Sequence, residues 1–142
     1  MDTHLGKNKL LARGLGALQV FIGLGAVGGG LALMLEPSGA NLGIPLDTLK
    51  NSPFSTYLVP GVVLLAVNGL GSLVGATASF TRHRYSGDIA VALGVFLVVW
   101  ITLQIFWFVA FHWLHALYLG LGLLEFVLGW LLQKALRREV DL

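Results

Sequence analysis

The chain contains no cysteine, and few of its residues carry a charge. Without cysteine it can form neither disulfide bonds nor thiolate-based catalytic or metal sites. Charged residues make up 11% of its 142 positions, whereas about 25% is usual for a soluble domain. Hydrophobic residues make up 56%. This composition argues strongly against a water-soluble protein and indicates that lipid is its solvent.

The sequence also lacks the common motifs of soluble enzymes. It has no phosphate-binding glycine loop, no HExxH metal motif and no GxSxG nucleophile elbow. The run Gly28-Gly29-Gly30 is not a phosphate loop, because it lies within an apolar stretch and no lysine follows it. We therefore expect a protein that is not an enzyme and that has no resident cofactor.

Four apolar stretches, each about long enough to cross a bilayer, fill most of the sequence. They occupy residues 15–35, 57–80, 89–111 and 114–132. A helix of about 20 apolar residues spans the roughly 30 Å hydrocarbon core. The sequence therefore predicts an all-α membrane protein, a single four-helix bundle over residues 1–142 with one substantial outer loop at 36–56. A cleavable signal peptide is the rival interpretation of the first stretch, but that stretch exceeds the usual 7–15-residue signal core.

The distribution of lysine and arginine predicts the orientation. Eight of the nine basic residues fall on one predicted side: Lys7, Lys9, Arg13, Arg82, Arg84, Lys134, Arg137 and Arg138. Only Lys50 falls in the outer loop. Because positively charged flanks tend to stay in the cytoplasm, we predict cytoplasmic termini in a multi-pass protein of the cell inner (plasma) membrane. Basic clusters beside membrane helices indicate topology and weak attraction to anionic lipid, not nucleic-acid binding.

Small residues recur on one face of three predicted helices. These faces are Gly16, Gln19, Gly23, Ala26 and Gly30 on the first helix, Gly61, Asn68, Gly71 and Gly75 on the second, and Tyr118, Gly122, Glu125 and Gly129 on the fourth. In lipid, small residues allow the close backbone approach that holds helices together. The spacing does not distinguish seams within one bundle from contacts between copies.

Polar residues within the apolar stretches are the main candidates for a functional site. Glu125, Asn68, Gln104 and Gln19 all fall inside predicted helices. An ionised carboxylate in hydrocarbon is costly, so an intramembrane acid usually faces the bundle interior or a wet cavity. One interpretation is an interhelical hydrogen-bond network, worth about 0.6 kcal/mol per bond. The other is a site for a proton, an ion or a ligand.

The third predicted helix carries an aromatic stripe at helical spacing: Phe96, Trp100, Gln104, Trp107 and Phe111. Aromatic rings around one amide suit a flat apolar molecule with a carbonyl group, such as a quinone. The alternative is an interfacial belt formed by Trp107, Phe111 and Trp113. Trp100 and Gln104 lie deeper than such a belt, so they stay candidates for ligand contact.

Two histidines at the predicted outer turn, His112 and His115, are the only candidates for metal binding. Zinc takes three or four protein ligands in defined geometry, and two imidazoles leave that set incomplete. Glu36 or Asp47 lies on the same predicted side, but the spacing does not specify either as a ligand. We expect no metal site.

Several segments resemble small bacterial four-helix membrane proteins of the DoxX-like type. The matching segments are Arg13-Gly14-Leu15-Gly16-Ala17-Leu18-Gln19, Glu36-Pro37-Ser38-Gly39-Ala40, Tyr57-Leu58-Val59-Pro60-Gly61, Asn68-Gly69-Leu70-Gly71-Ser72-Leu73, Trp100-Ile101-Thr102-Leu103-Gln104 and the LGLLE run ending at Glu125. The resemblance implies a four-helix architecture and allows an association with membrane redox complexes. It supplies no catalytic residues.

Two functions fit these observations. The first is a non-catalytic integral membrane protein that packs with a membrane partner or holds a lipid or quinone near Asn68, Gln104 and Glu125. The second is an oligomeric transporter or channel for a small solute, an ion or a proton, with Glu125 on a polar path. One bundle with so few polar residues is too apolar to form a pore alone.

Overall fold

A computed structural model of the protein describes residues 2–107 and 113–140, and every regular element in these residues is helical. Four long helices dominate: α1 (Asp2–Leu35), α2 (Leu58–Phe80), α3 (Ser86–Trp107) and α4 (Trp113–Val140). All four are long and apolar enough to cross a membrane. This confirms the predicted all-α, four-helix fold class and indicates a multi-pass protein in a lipid bilayer.

Two of the helices extend beyond the predicted apolar stretches. α1 begins at Asp2 and α4 ends at Val140, although the apolar stretches cover only 15–35 and 114–132. The extensions are helical because they pack against each other. Ala12 and Leu15 form one buried cluster with Leu132 and Leu136. Residues 108–111, the end of the predicted third helix, lie outside the described residues.

This packing places the beginning of α1 and the end of α4 at one end of the bundle, which we name the terminal face. The Asn8 amide donates a hydrogen bond of 2.9 Å to Glu139 there. We name the opposite end, where residues 36–57 connect α1 to α2, the loop face. That the terminal face meets the cytoplasm stays a prediction from the basic residues.

Glycines lie at the contacts between α1 and α2 and between α3 and α4, where the helix backbones approach closely. A Cβ atom on Gly30 of α1 would lie 2.8 Å from the carbonyl oxygen of Gly61 on α2. Between α3 and α4, a Cβ on Gly94 would lie 2.6 Å from the backbone nitrogen of Phe126. Side chains at these positions would push the backbones apart, so the glycine faces are seams inside the bundle.

The middle of α2 is a π-helix, Leu64–Gly71, between the α-helical segments Leu58–Val63 and Ser72–Phe80. π-Helical turns are rare and frequently occur at functional sites. Here the wider turn buries two consecutive residues, Asn68 and Gly69. A Cβ on Gly69 would lie 2.8 Å from the side chain of Val27, so α2 lies directly against α1 at this level.

The outer loop folds over the loop face. It contains two short 3₁₀ helices, Ala40–Leu42 and Leu46–Leu49. Leu49 is buried together with Leu33 of α1 and Tyr57 at the start of α2. The Tyr57 hydroxyl donates a hydrogen bond of 2.9 Å to the carbonyl oxygen of Pro45. The loop therefore forms a lid over one end of the bundle.

Candidate functional site

A cavity of about 590 Å³ lies between the helices beneath the outer loop. Its apolar wall includes Ile22, Ala26, Leu33, Leu64, Leu97 and Ile101. Loop residues Gly43, Ile44 and Pro45 also line it. Small-molecule sites usually have volumes of about 300–1,000 Å³ and walls that are mostly apolar. The cavity therefore has the size and the lining of a ligand site.

Six side chains bring polar groups to this wall: Thr48, Tyr57, Asn68, Gln104, His115 and Tyr118. They come from the outer loop and from α2, α3 and α4, so the whole tertiary fold is needed to bring them together. Asn68 and Gln104 were predicted as candidates from the sequence, and the structure places both on the same cavity.

Asn68 is the most informative of these residues. It is 1% exposed, and its Nδ2 atom has no hydrogen-bond partner among the described residues. A buried amide N–H without an acceptor costs about 1–3 kcal/mol. A hydrogen-bond acceptor on a molecule in the cavity would remove this cost. The unpaired donor therefore indicates the kind of group that the cavity suits.

Two tyrosines add hydroxyl groups to the cavity. A Cβ atom on Gly25 would lie 2.8 Å from the hydroxyl oxygen of Tyr118, so the absence of a side chain on α1 leaves room for this phenol. Burial raises the pKa of Tyr57 above its ordinary value of 10.0, and a hydrogen bond with Thr48 opposes this effect. The Tyr57 phenol therefore stays neutral near pH 7, and its proton is the one that it donates to the Pro45 carbonyl oxygen.

Of the α3 stripe, Gln104 lines the cavity, whereas the described aromatic rings of Phe96, Trp100 and Trp107 do not. Trp100 is 8% exposed and packs in a buried cluster with Ile22 and Leu97. Its ring stacks on Phe96 at a centroid distance of 6.2 Å. Its Nε1 atom is buried and has no hydrogen-bond partner in the described part of the chain. Trp107 instead makes an edge contact with Phe54 of the outer loop at 5.8 Å, and Phe111 lies outside the described residues.

A second set of polar residues, separate from those at the cavity, lies between α1, α2 and α4. The Ser79 hydroxyl donates a hydrogen bond of 2.7 Å to Oε1 of Gln19. Nε2 of Gln19 donates a longer bond of 3.4 Å to Oε1 of Glu125. All three residues are fully buried, and none of them lines the cavity. The predicted candidates therefore fall into two separate places, with Gln19 and Glu125 in this network.

Glu125 is only partly satisfied by its surroundings. Its Oε2 atom is buried without a hydrogen-bond partner, as far as the described residues show. The ion pairs among these residues, Arg82 with Glu139 and Arg137 with Asp88, do not involve Glu125. A buried charge without a counterion is costly, so the network holds this carboxyl group by hydrogen bonding alone.

Of the two histidines considered for metal binding, only His115 is among the described residues. His115 lines the cavity, and His112 lies outside the described residues. Within residues 2–107 and 113–140, no group of three His, Cys, Asp or Glu side chains could hold a metal ion. Of the two acids considered from the sequence, Glu36 accepts a hydrogen bond of 2.7 Å from Ser38, and Asp47 is exposed.

Several site residues were not predicted from the sequence. Tyr118 was identified only as part of a small-residue face, and Thr48 and Tyr57 were missed because the sequence does not show which side chains near the loop reach the cavity. Ser79 could have been found, since it follows Gly75 by four residues and therefore lies on the same face of α2.

Comparisons with other proteins add no closer identification. No family model matches the chain, and no curated protein or solved structure matches it either. The class that the fold defines is a four-helix protein with four candidate membrane spans.

Proposed function

We propose that this protein is a non-catalytic integral membrane protein that holds a small lipid-soluble molecule in the cavity beneath the outer loop. The observation that carries the proposal is the buried Nδ2 of Asn68, an unpaired donor in the wall of a largely apolar cavity of about 590 Å³. Such a site selects an apolar molecule with at least one hydrogen-bond acceptor.

A quinone-like molecule matches this chemistry best. The Asn68 amide would donate a hydrogen bond to one carbonyl oxygen, and the Gln104 amide or the Tyr118 hydroxyl would contact a second polar group from another helix. The aliphatic wall would bury the rest of the molecule. Since Trp100 does not line the cavity, aromatic contact would come from Tyr57 and Tyr118.

The setting of this function is part of the proposal. We place the protein in the cell inner (plasma) membrane with cytoplasmic termini, because most basic residues flank the terminal face. We also propose a distant relation to DoxX-like membrane proteins, which rests on the sequence segments alone. A membrane protein partner or a second copy of the chain would then receive or deliver the bound molecule.

Native mass spectrometry of the protein, released gently from its own membrane, tests this function. We expect a defined extra mass on the wild type and its loss in Asn68→Leu, which removes the donor and keeps a similar volume. Thr102→Val is the control, because Thr102 is exposed and bonds only within α3, to the Val98 carbonyl. No retained mass in the wild type, or equal loss in the control, would contradict the proposal.

The second candidate function is an oligomeric transporter or channel, and the unpaired Oε2 of Glu125 favours it. In that case several copies would arrange the carboxyl groups along a polar path. We would then observe a symmetric higher oligomer without bound mass and transport abolished by Glu125→Gln. Transport that is unchanged in this variant would make Glu125 structural.

A further inference from the structure

A smaller hollow of about 180 Å³ lies at the terminal face, away from the cavity and the buried network. It is lined by Lys9, Ala12, Arg13, Phe80 and Arg82. Three of these five residues are cationic, and they come from the first turns of α1 and from the end of α2. Two elements that are distant in sequence therefore bring positive charge to one concave surface.

Arg82, one of the three cations, has an unfavourable backbone conformation. Arg82 has a φ of 50° and is the one residue other than glycine with positive φ in the described chain. The His83 amide bonds to the Ala78 carbonyl at 2.9 Å, which is the bond that closes a Schellman motif with Arg82 at the position glycine usually occupies. Residues other than glycine are disfavoured in this left-handed conformation, so the helix end alone does not explain an arginine there.

The Arg82 guanidinium is not fully satisfied by the protein. Its Nη1 atom is buried but has no hydrogen-bond partner within the described ranges. The nearest carboxylate oxygen, Oε1 of Glu139, lies 3.6 Å away, which is too far for a hydrogen bond. Glu139 itself accepts a hydrogen bond from Asn8 at 2.9 Å. The ion pair with Glu139 therefore leaves the hydrogen-bonding capacity of Nη1 unused.

The charge balance around the hollow favours an anion. Lys9, Arg13 and Arg82 supply three positive charges, and Glu139 supplies one negative charge, so the surroundings retain an excess of two. Guanidinium groups form strong, often bidentate, hydrogen bonds with phosphate oxygens. Phe80 is 51% exposed beside the cations, which adds an apolar surface next to the charged one.

We propose that this hollow binds a phosphate group, with Arg82 and Arg13 as its main contacts and Lys9 as a third. The combination of cations and an exposed phenylalanine at the end of a membrane span matches an anionic phospholipid, whose phosphate would meet the arginines while its chains pass Phe80. Basic pockets between membrane helices bind lipid headgroups in this way. General attraction of basic flanks to a membrane would require neither the hollow nor the strained Arg82.

Lipid titration followed by native mass spectrometry tests this site. The full-length protein is freed of lipid in detergent, and phosphatidylglycerol and phosphatidylcholine with identical chains are added separately. We expect phosphatidylglycerol to bind at least about tenfold more tightly than phosphatidylcholine. Arg82→Gly and Arg13→Gln should each weaken phosphatidylglycerol binding about fivefold, the effect of one cation near the surface. Phosphatidylcholine carries the same phosphate beside a choline cation, so its weaker binding should fall by a smaller factor.

The choice of variants keeps the test independent of folding. Arg82→Gly relieves the positive φ, so this variant should fold at least as readily as the wild type, and Arg13 is exposed. Lys7→Gln and Arg84→Gln are matched controls, since each removes one charge from the same end of the bundle outside the hollow. Equal losses in the controls, or no preference of the wild type for phosphatidylglycerol, would overturn the proposal.

Inorganic phosphate distinguishes the source of the group. If millimolar phosphate displaces phosphatidylglycerol from the wild type, the hollow accepts a free phosphate and the lipid is one carrier of it. If phosphate does not compete, the acyl chains beside Phe80 contribute to binding and the site is specific for lipid. The competition experiment follows only if the arginine variants have already weakened phosphatidylglycerol binding. Both of its results are therefore consistent with a phosphate site at the hollow.

Discussion

The Ser79 hydroxyl on α2 donates a hydrogen bond of 2.7 Å to the side-chain oxygen of Gln19 on α1, and both residues are completely buried. Since Gln19 also donates to Glu125 on α4, one glutamine connects three helices. The network lies apart from the ligand cavity. The polar residues inside the bundle therefore serve two purposes, helix assembly in one place and ligand contact in the other.

Replacing Ser79 by alanine should weaken this assembly. The change leaves Oε1 of Gln19 without its donor, so we expect the free energy of unfolding to fall by about 1 kcal/mol. Thr77→Ala is the control on the same helix, because Thr77 is exposed and bonds only to the Leu73 carbonyl. Reversible unfolding in mixed micelles measures both variants. Equal losses for the two would show that the network does not stabilise the bundle.

The glycine run in α1 provides a second prediction, because its first and third residues, Gly28 and Gly30, have different surroundings. A Cβ on Gly30 would lie 2.8 Å from the backbone of α2 at Gly61 and Leu65, whereas a Cβ on Gly28 would meet nothing within 4 Å. Backbone atoms cannot move aside as a flexible side chain can. Gly30→Ala should therefore destabilise the protein by about 2 kcal/mol or more.

Gly28→Ala is the matched control, and it should stabilise α1 by up to about 1 kcal/mol through helix propensity. Thermal unfolding of the two variants in one detergent gives the comparison. A bundle that tolerates alanine equally at both positions would contradict the internal α1–α2 seam.

The outer loop depends on Gly39 in a similar way. Gly39 has a φ of 80°, and a Cβ there would collide with the Ile44 carbonyl and lie 2.8 Å from the Tyr57 ring. Gly39→Ala should open the lid and increase proteolytic cleavage of the loop. Gly43 also has positive φ, 66°, but open space around it, so Gly43→Ala should have only the smaller effect of backbone strain. Equal cleavage rates would exclude a packed lid.

The sequence was sufficient to predict the four helices, because apolar runs of membrane length admit few other structures. The glycine faces were also visible, and the structure decides that they are internal seams. The ends of α1 and α4 were not predicted. Their helices continue because Ala12 and Leu15 meet Leu132 and Leu136, a contact between the two ends of the chain.

The candidate site was also predictable only in part, because it too depends on contacts between segments that are distant in sequence. Asn68 and Gln104 are unusual in an apolar helix, so each could be found from its own segment. Their common cavity depends on the loop that covers it and on the π-helical turn that buries Asn68, and periodicity does not reveal the π-helical turn. Trp100 shows the converse, because this residue of the stripe packs in the core instead of facing the cavity.

If Asn68 donates a hydrogen bond to the ligand, replacing it should change ligand affinity without lowering the stability of the ligand-free protein. Asn68→Leu removes an unpaired buried amide, so the ligand-free protein should be equally stable or more stable. The same change should weaken binding of a short-chain ubiquinone, used as the probe, by about tenfold, the effect of losing one buried hydrogen bond.

Isothermal titration of wild type, Asn68→Leu and the Thr102→Val control with this quinone is the most direct measurement. We expect saturable binding of about one quinone per chain to the wild type and the control, and about tenfold weaker binding to Asn68→Leu despite undiminished stability. Absence of saturable binding to the wild type, or equal affinity for all three proteins, would contradict this expectation.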